Sequence, residues 1–164
     1  MTAAMPHCLC GSLMPYEGCC EPYHTHVTAA PTPEALMRSR YTAFVLGNID
    51  WIQASMKGAP LEGFDANAAR LWTSSVTWLG LEVLNAGTQD ATHGTVEFIA
   101  RFLERDALVL MHEISEFEQE NGRWLYVNGR AGAMASHKKI PLNAACPCGS
   151  QRKFKNCHSK RSRT

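Results

Sequence analysis

One cysteine spacing occurs twice in this chain, once near each end, and it constrains the fold more than any other feature. CLCGSLMPYEGCC occupies residues 8–20 and CPCGSQRKFKNCH occupies residues 146–158. Each stretch runs Cys-x-Cys, eight intervening residues, then a ligand pair. The first set is Cys8, Cys10, Cys19 and Cys20. The second is Cys146, Cys148, Cys157 and His158. Gly11 and Ser12 align with Gly149 and Ser150, and Tyr16 aligns with Phe154. All seven cysteines are used, and His158 supplies the eighth ligand. Four thiolate or imidazole ligands complete a closed tetrahedral zinc site. The spacing does not separate zinc from iron, which also accepts thiolates. Neighbours in a strand point to opposite faces, so Cys157 and His158 share a metal only on a helical or turned backbone. A short helical turn is therefore predicted over residues 153–158.

Charge divides the chain in the same way. Residues 137–164 hold eight Lys or Arg (Lys138, Lys139, Arg152, Lys153, Lys155, Lys160, Arg161, Arg163) and no Asp or Glu. The remainder carries eight basic and fifteen acidic residues. A basic metal module on an acidic body is a handle for an anionic partner: acidic protein, RNA or anionic lipid. Arg152, Lys153 and Lys155, inside the metal loop, are the candidate contacts. No apolar run approaches the ~18 residues of a membrane span, and no basic segment leads into an apolar one at the start. The expectation is a cytoplasmic protein with reduced, metal-bound thiols. Redox-active cysteine pairs are the weaker reading, because four ligands per copy fit a metal better.

Between the modules, helical signals precede strand signals. Thr32 is an N-cap, Pro33 suits the first helical position, and Gly47 closes a helix whose apolar face is Leu36, Met37, Tyr41, Phe44 and Val45. Arg40 falls near that face, which predicts a carboxylate partner joining helix to sheet. Asn48 caps a second helix reaching about Met56, ended by Gly58 and Pro60, and Asp65 caps a third over residues 66–72. Residues 76–84, 95–103, 108–118 and 123–128 read as strands. Asn121-Gly122 is a hairpin turn. The short connections imply an antiparallel meander. Residues 129–143 read as a linker. His7, His24 and His26 lie close enough to compete as ligands, and the favoured reading is solvated loop histidines. The fold class is α+β, with N-terminal helices packed on a curved antiparallel sheet.

These motifs carry a family resemblance. CPCGSQRKFKNCH resembles the SEC-C motif, the small zinc-binding tail of the SecA translocation ATPase, although Gln151 stands where that motif usually has Gly. The first copy lacks Lys and Arg, so functions tied to basic character belong to the second. CGS with a Cys-Cys pair, TPEALMRSRYTAFV (32–45), WLGLEV (78–83), VEFIARF (96–102) and HEISEFEQENGRWLYVNG (112–129) resemble the bacterial YchJ family. That resemblance implies a central cystatin-like cone, of the kind found in nuclear transport factor two, between SEC-C modules. The expected divisions are 1–27, 28–135 and 136–164.

The resemblance to the SecA tail implies a partner such as the SecB chaperone or the ribosome. The expected function is a non-enzymatic zinc-binding adaptor. The alternative is a ligand-binding or enzymatic cone with a pocket around His112, lined by Trp72, Trp78, Phe98 and Trp124. No nucleophile, phosphate loop or acid pair accompanies His112, which favours a hydrogen-bonded structural role. Fold analogy assigns no activity by itself. Sheets of this class often pair into homodimers, but nothing in the sequence demands it.

Overall fold

The computed structural model describes residues 6–159. Five helices are followed by a five-stranded sheet. The helices are α1 (Glu21–His24), α2 (Pro33–Leu46), α3 (Ile49–Ala54), α4 (Ala59–Glu62) and α5 (Ala66–Ser75). The strands are β1 (Thr77–Thr88), β2 (His93–Glu104), β3 (Ala107–Glu120), β4 (Arg123–Ala131) and β5 (Ser136–Lys139).

Local chemistry explains the helix ends. Thr32 Oγ1 accepts from the Ala35 N–H at 3.1 Å, and Gly47 closes α2 at φ 73°. Asn48 Oδ1 accepts from the Trp51 N–H, and Asp65 Oδ1 from the Ala68 N–H. The expected caps are all in use. Pro60 differs: it sits in the first turn of α4, where its missing N–H costs nothing. It starts a short helix instead of ending one.

Strands β1 to β4 form an antiparallel meander, with α2 packed on one face. Leu36, Met37 and Tyr41 of α2 meet Val96, Phe98, Ala100, Phe117 and Trp124 in the main core. Strict alternation predicts that face correctly on β2 but not on β1. Register shifts fall between Trp78 and Gly80 and between Val83 and Asn85. Each bulge resets the alternation. Trp78, Leu81, Val83 and Ala86 therefore all reach the core, while Leu79 turns to the opposite face.

The stretch expected to be a linker contributes a strand. β4 pairs with the Glu113–Glu120 half of β3, and β5 takes the half from Ala107 to Leu110. The sheet thus extends past residue 135. On the face away from α2, Leu79, Leu103 and Leu108 join Ile140, Ala144 and Phe154 in a second apolar cluster. Cys146, Cys148 and Cys157 border it, so the second cysteine loop is seated on the sheet. The first loop is seated on α2 instead, and its Gly11 also approaches the Leu81 carbonyl of β1.

Candidate metal centres

The two loops share a backbone, hydrogen bond for hydrogen bond. Gly11 and Gly149 donate to the carbonyls of Cys8 and Cys146, both at 3.3 Å. Cys8 and Cys146 donate in turn to Met14 and Arg152. Gly11 and Gly149 have φ 80° and 81°, the left-handed region where glycine carries no penalty. Leu13 and Gln151 repeat the conformation at φ 65° and 62°. A 3-10 turn follows in each, Tyr16–Gly18 and Phe154–Asn156. That turn brings the last two candidate ligands to one side.

The candidate ligand atoms of Cys8, Cys10, Cys19 and Cys20 lie within 4.8 Å of one another, as do those of Cys146, Cys148, Cys157 and His158. Sulfur separations are 3.6 Å for Cys10–Cys19 and 3.6 Å for Cys148–Cys157. A disulfide requires about 2.05 Å. Tetrahedral zinc, with Zn–S near 2.3 Å, places sulfurs roughly 3.8 Å apart. His158 Nδ1 is 3.2 Å from Cys146 Sγ and 3.3 Å from Cys157 Sγ, so it completes the second group through that nitrogen. Both donor sets fit a four-coordinate thiophilic ion.

Hydroxyls tune the sulfurs. Ser12 Oγ lies 3.1 Å from Cys19 Sγ, and Ser150 Oγ lies 3.3 Å from Cys157 Sγ. Hydrogen bonds from Cys20 and Cys8 hold the Cys10 thiol far below its usual range. Burial pushes Cys19 up to about 11 and Cys146 up to about 11. The Ser150 hydroxyl holds Cys148 down to about 7. Each cluster thus places a readily ionised thiol, Cys10 or Cys148, beside one that burial holds protonated, Cys19 or Cys146, and a bound cation would remove that proton.

Their surroundings differ. In the first loop Arg38 Nη1 donates to the Cys10 carbonyl at 2.7 Å, and Cys8 Sγ lies 3.7 Å from Thr42 Oγ1. His24 is buried, contrary to the expectation of a solvated loop residue. Its Nε2–H donates to the Ser39 carbonyl at 2.7 Å, and Nδ1 accepts from the Tyr16 hydroxyl at 2.9 Å. Burial lowers its pKa. His7 is exposed. His26 is also exposed, with its ring against Trp51. In the second loop Phe154 is fully buried, whereas Arg152, Lys153 and Lys155 are exposed. Arg152 also leans on Cys157 Sγ at 3.7 Å. Lys160, Arg161 and Arg163 lie outside the described residues.

The expected pocket around His112 needs correction. His112 shares its face of β3 with Leu110 and Ile114, while Met111, Glu113 and Ser115 face α2. Its Nε2 donates to Glu97 Oε1 at 2.8 Å, and Nδ1 accepts from the Met134 N–H at 2.9 Å. Gly132 lies against the ring, where a Cβ would come within 2.2 Å. His112 therefore pins residues 132–134 to the outer face and lines neither the cavity of Trp72 and Trp78 nor that of Trp124. The cavity beneath α2 measures about 170 Å³ and is lined by Trp72, Trp78 and Phe98 among others. Trp124 borders a different cavity, of about 260 Å³, beside His26, Leu36 and Trp51.

Arg40 does join helix to sheet, but not through the expected ion pair. Its Nη1 donates to the carbonyl of Ile52 and to the Ser55 hydroxyl. Its guanidinium sits 4.7 Å over the Tyr126 ring, and Tyr126 donates to Glu113 Oε1 at 3.1 Å. Burial lowers the Arg40 pKa to about 10 and raises that of Tyr126 to about 12. Sequence reasoning misses Ser115 and Tyr126, and reads Glu113 only as a carboxylate facing away from His112, which is where it lies. The alternation on β3 already places Ser115 opposite His112 as well.

A curved antiparallel sheet packed on a long helix, with cysteine clusters near both ends of the chain, defines an NTF2-like α+β domain with small SEC-C modules. Residues 32–129 match the family described as YchJ, middle NTF2-like domain, and residues 143–160 match the SEC-C motif. The chain belongs to that YchJ middle-domain family. Two solved structures are similar along much of the chain. A SEC-C motif containing protein from Rhodopseudomonas palustris shares 38% identity at TM-score 0.72, over 77% of this chain and 98% of that one. A SEC-C motif containing protein from Psychrobacter arcticus shares 30% identity at TM-score 0.68, over 98% and 99%. Among the described residues no helix is long and apolar enough to cross a membrane.

Proposed function

We propose that this protein is a non-enzymatic zinc-binding adaptor, and that its basic C-terminal module is the surface its partner recognises. Zinc fits the donor sets best: three or four thiolates with tetrahedral spacing and no open coordination position. Cys8, Cys10, Cys19 and Cys20 would hold one ion, and Cys146, Cys148, Cys157 and His158 the other. The cytoplasm, where thiols stay reduced, suits such sites.

One observation carries the reading. The two modules keep the same backbone, yet the loop tip that reads Leu13-Met14-Pro15 in the first reads Gln151-Arg152-Lys153 in the second. None of these side chains is a metal ligand, and Lys153 and Lys155 donate to no ligand sulfur, so the charge there is available for recognition, with Arg152 also donating to Cys157 Sγ. Phe154, buried between Lys153 and Lys155, holds both lysines at the surface of a seated module. Rigid presentation lowers the entropy lost on binding. An acidic protein face is the complementary partner, and the SEC-C resemblance points to a SecB-like chaperone or ribosomal protein. RNA and anionic lipid are the competing anionic surfaces.

Metal analysis of the purified protein should return close to two zinc per chain. Binding to purified SecB and to ribosomes should weaken with salt. It should fall when Arg152, Lys153 and Lys155 are each changed to Glu, with the zinc content unchanged. Undiminished binding by that triple variant would refute the basic handle.

A further inference from the structure

The cavity beneath α2 has two unlike ends. Phe44, Trp72 and Trp78 give one end aromatic walls, and Phe98, the cross-strand partner of Glu113, stands between the ends. Their rings are fixed against each other: Trp72 and Trp78 meet edge to face at 5.5 Å, as do Tyr41 and Trp78. The indole N–H groups are engaged elsewhere, Trp72 with Glu104 and Trp78 with Thr73. Only ring surface is therefore offered to the space. The other end holds Arg40, Glu113, Ser115 and Tyr126. Ser115 Oγ and Tyr126 OH both donate to Glu113 Oε1, at 2.7 and 3.1 Å. Among the described residues no donor reaches Glu113 Oε2.

This arrangement is unlike a packing defect. A void beside a charged group weakens a core, and interiors without another demand close such gaps. The backbone also makes room for the polar end: a Cβ on Gly129 would fall 2.3 Å from Glu113 Oε1. Arg40 and Glu113 face the same space with opposite charges, so a further buried charge there would lack a partner. A neutral guest that donates one hydrogen bond matches both ends. The space is partly open, and its inner volume of about 170 Å³ matches one aromatic ring, since roughly 150 Å³ takes a single benzene.

We infer that this cavity is a binding site for a small neutral aromatic molecule bearing one hydroxyl or N–H, which donates to Glu113 Oε2 while its ring packs against Trp72 and Trp78. The inference does not depend on the adaptor reading. The site lies between α2 and the sheet, whereas the basic module lies on the opposite face.

The test titrates metal-loaded, ¹⁵N-labelled full chain with phenol, and with benzene as the probe that lacks a donor. The readout is the indole N–H signals of the four tryptophans, of which Trp72 and Trp78 line the cavity and Trp51 and Trp124 do not. Phenol should move Trp72 and Trp78 alone. Benzene should bind roughly tenfold more weakly, the worth of one hydrogen bond to a charged acceptor. In Glu113→Gln, Ser115 and Tyr126 keep the amide oxygen and leave its NH₂ facing the guest. Phenol should then bind more weakly, because a neutral bond from the amide to its oxygen replaces the bond to a carboxylate, and acetophenone, which only accepts, should gain. Ala100→Leu should block every probe. No selective movement of Trp72 and Trp78, or undiminished phenol binding in Glu113→Gln, would overturn the inference.

Discussion

The two metal modules are one loop built twice and mounted differently. Their glycines share a φ near 80°, and their sulfurs share a 3.6 Å separation. The first is tied to α2 by hydrogen bonds from Arg38 and His24, and three of its four sulfurs are buried. The second rests on the sheet through Phe154 and Ile140, and two of its three sulfurs are half-buried. The loop conformation thus follows the shared cysteine spacing and its glycines, while the residues between the candidate ligands decide what the loop touches. Tyr16 offers a hydroxyl to His24, whereas the aligned Phe154 offers only a ring.

The largest test of this contrast is loss of a metal. Cys10→Ser and Cys148→Ser should each release one zinc, and structural zinc is worth on the order of 10 kcal/mol to the segment it folds. The Cys10 variant should also lower the melting temperature of the central domain, because Arg38 loses an ordered acceptor. The Cys148 variant should leave that domain folded, as seen by calorimetry. Chelator should likewise remove the second ion first, followed by metal release against a colorimetric indicator. Phe154→Ala comes next, with about 3–5 kcal/mol lost at a fully buried aromatic. Hydrogen exchange should rise across residues 144–158 and stay unchanged across residues 8–24.

The smallest effects involve His24. Its folded pKa lies below the unfolded value of about 6.5, so the unfolded chain binds the proton more readily. Its contribution is complete above about pH 6.5 and is lost as pH falls from there toward the folded pKa. Urea melts across that window should show stability falling with acid, and His24→Gln should flatten the dependence. Tyr16→Phe should cost only about 1 kcal/mol, one hydrogen bond. The aligned position of the second module already lacks that bond.

Much of the architecture was legible because its signals are local. Thr32, Gly47, Asn48 and Asp65 mark helix ends within one turn, Asn121-Gly122 closes a hairpin, and the ligand spacing is periodic. What escaped depends on distant neighbours. The two bulges in β1 are set by pairing with β2, and they alone explain why Trp78 and Leu81 share a face. β5 has no apolar alternation and exists because the end of β3 beyond β4 was left unpaired. His112 reads as inward-facing because it alternates with the apolar Leu110 and Ile114, but on β3 that apolar side is the outer one and Met111, Glu113 and Ser115 face α2. The seating of each module rests on contacts such as Arg38 to Cys10 that no spacing rule contains.

Gly11 approaches β1 from one side of the sheet, and Leu79 of the same strand is covered by the second module on the other. β1 is also an end strand of the meander, the place where a second chain could add itself. Cations bound in the two modules would therefore guard against self-association. Zinc starvation should turn this protein into a sticky species, pairing with its own copies well before its interior melts.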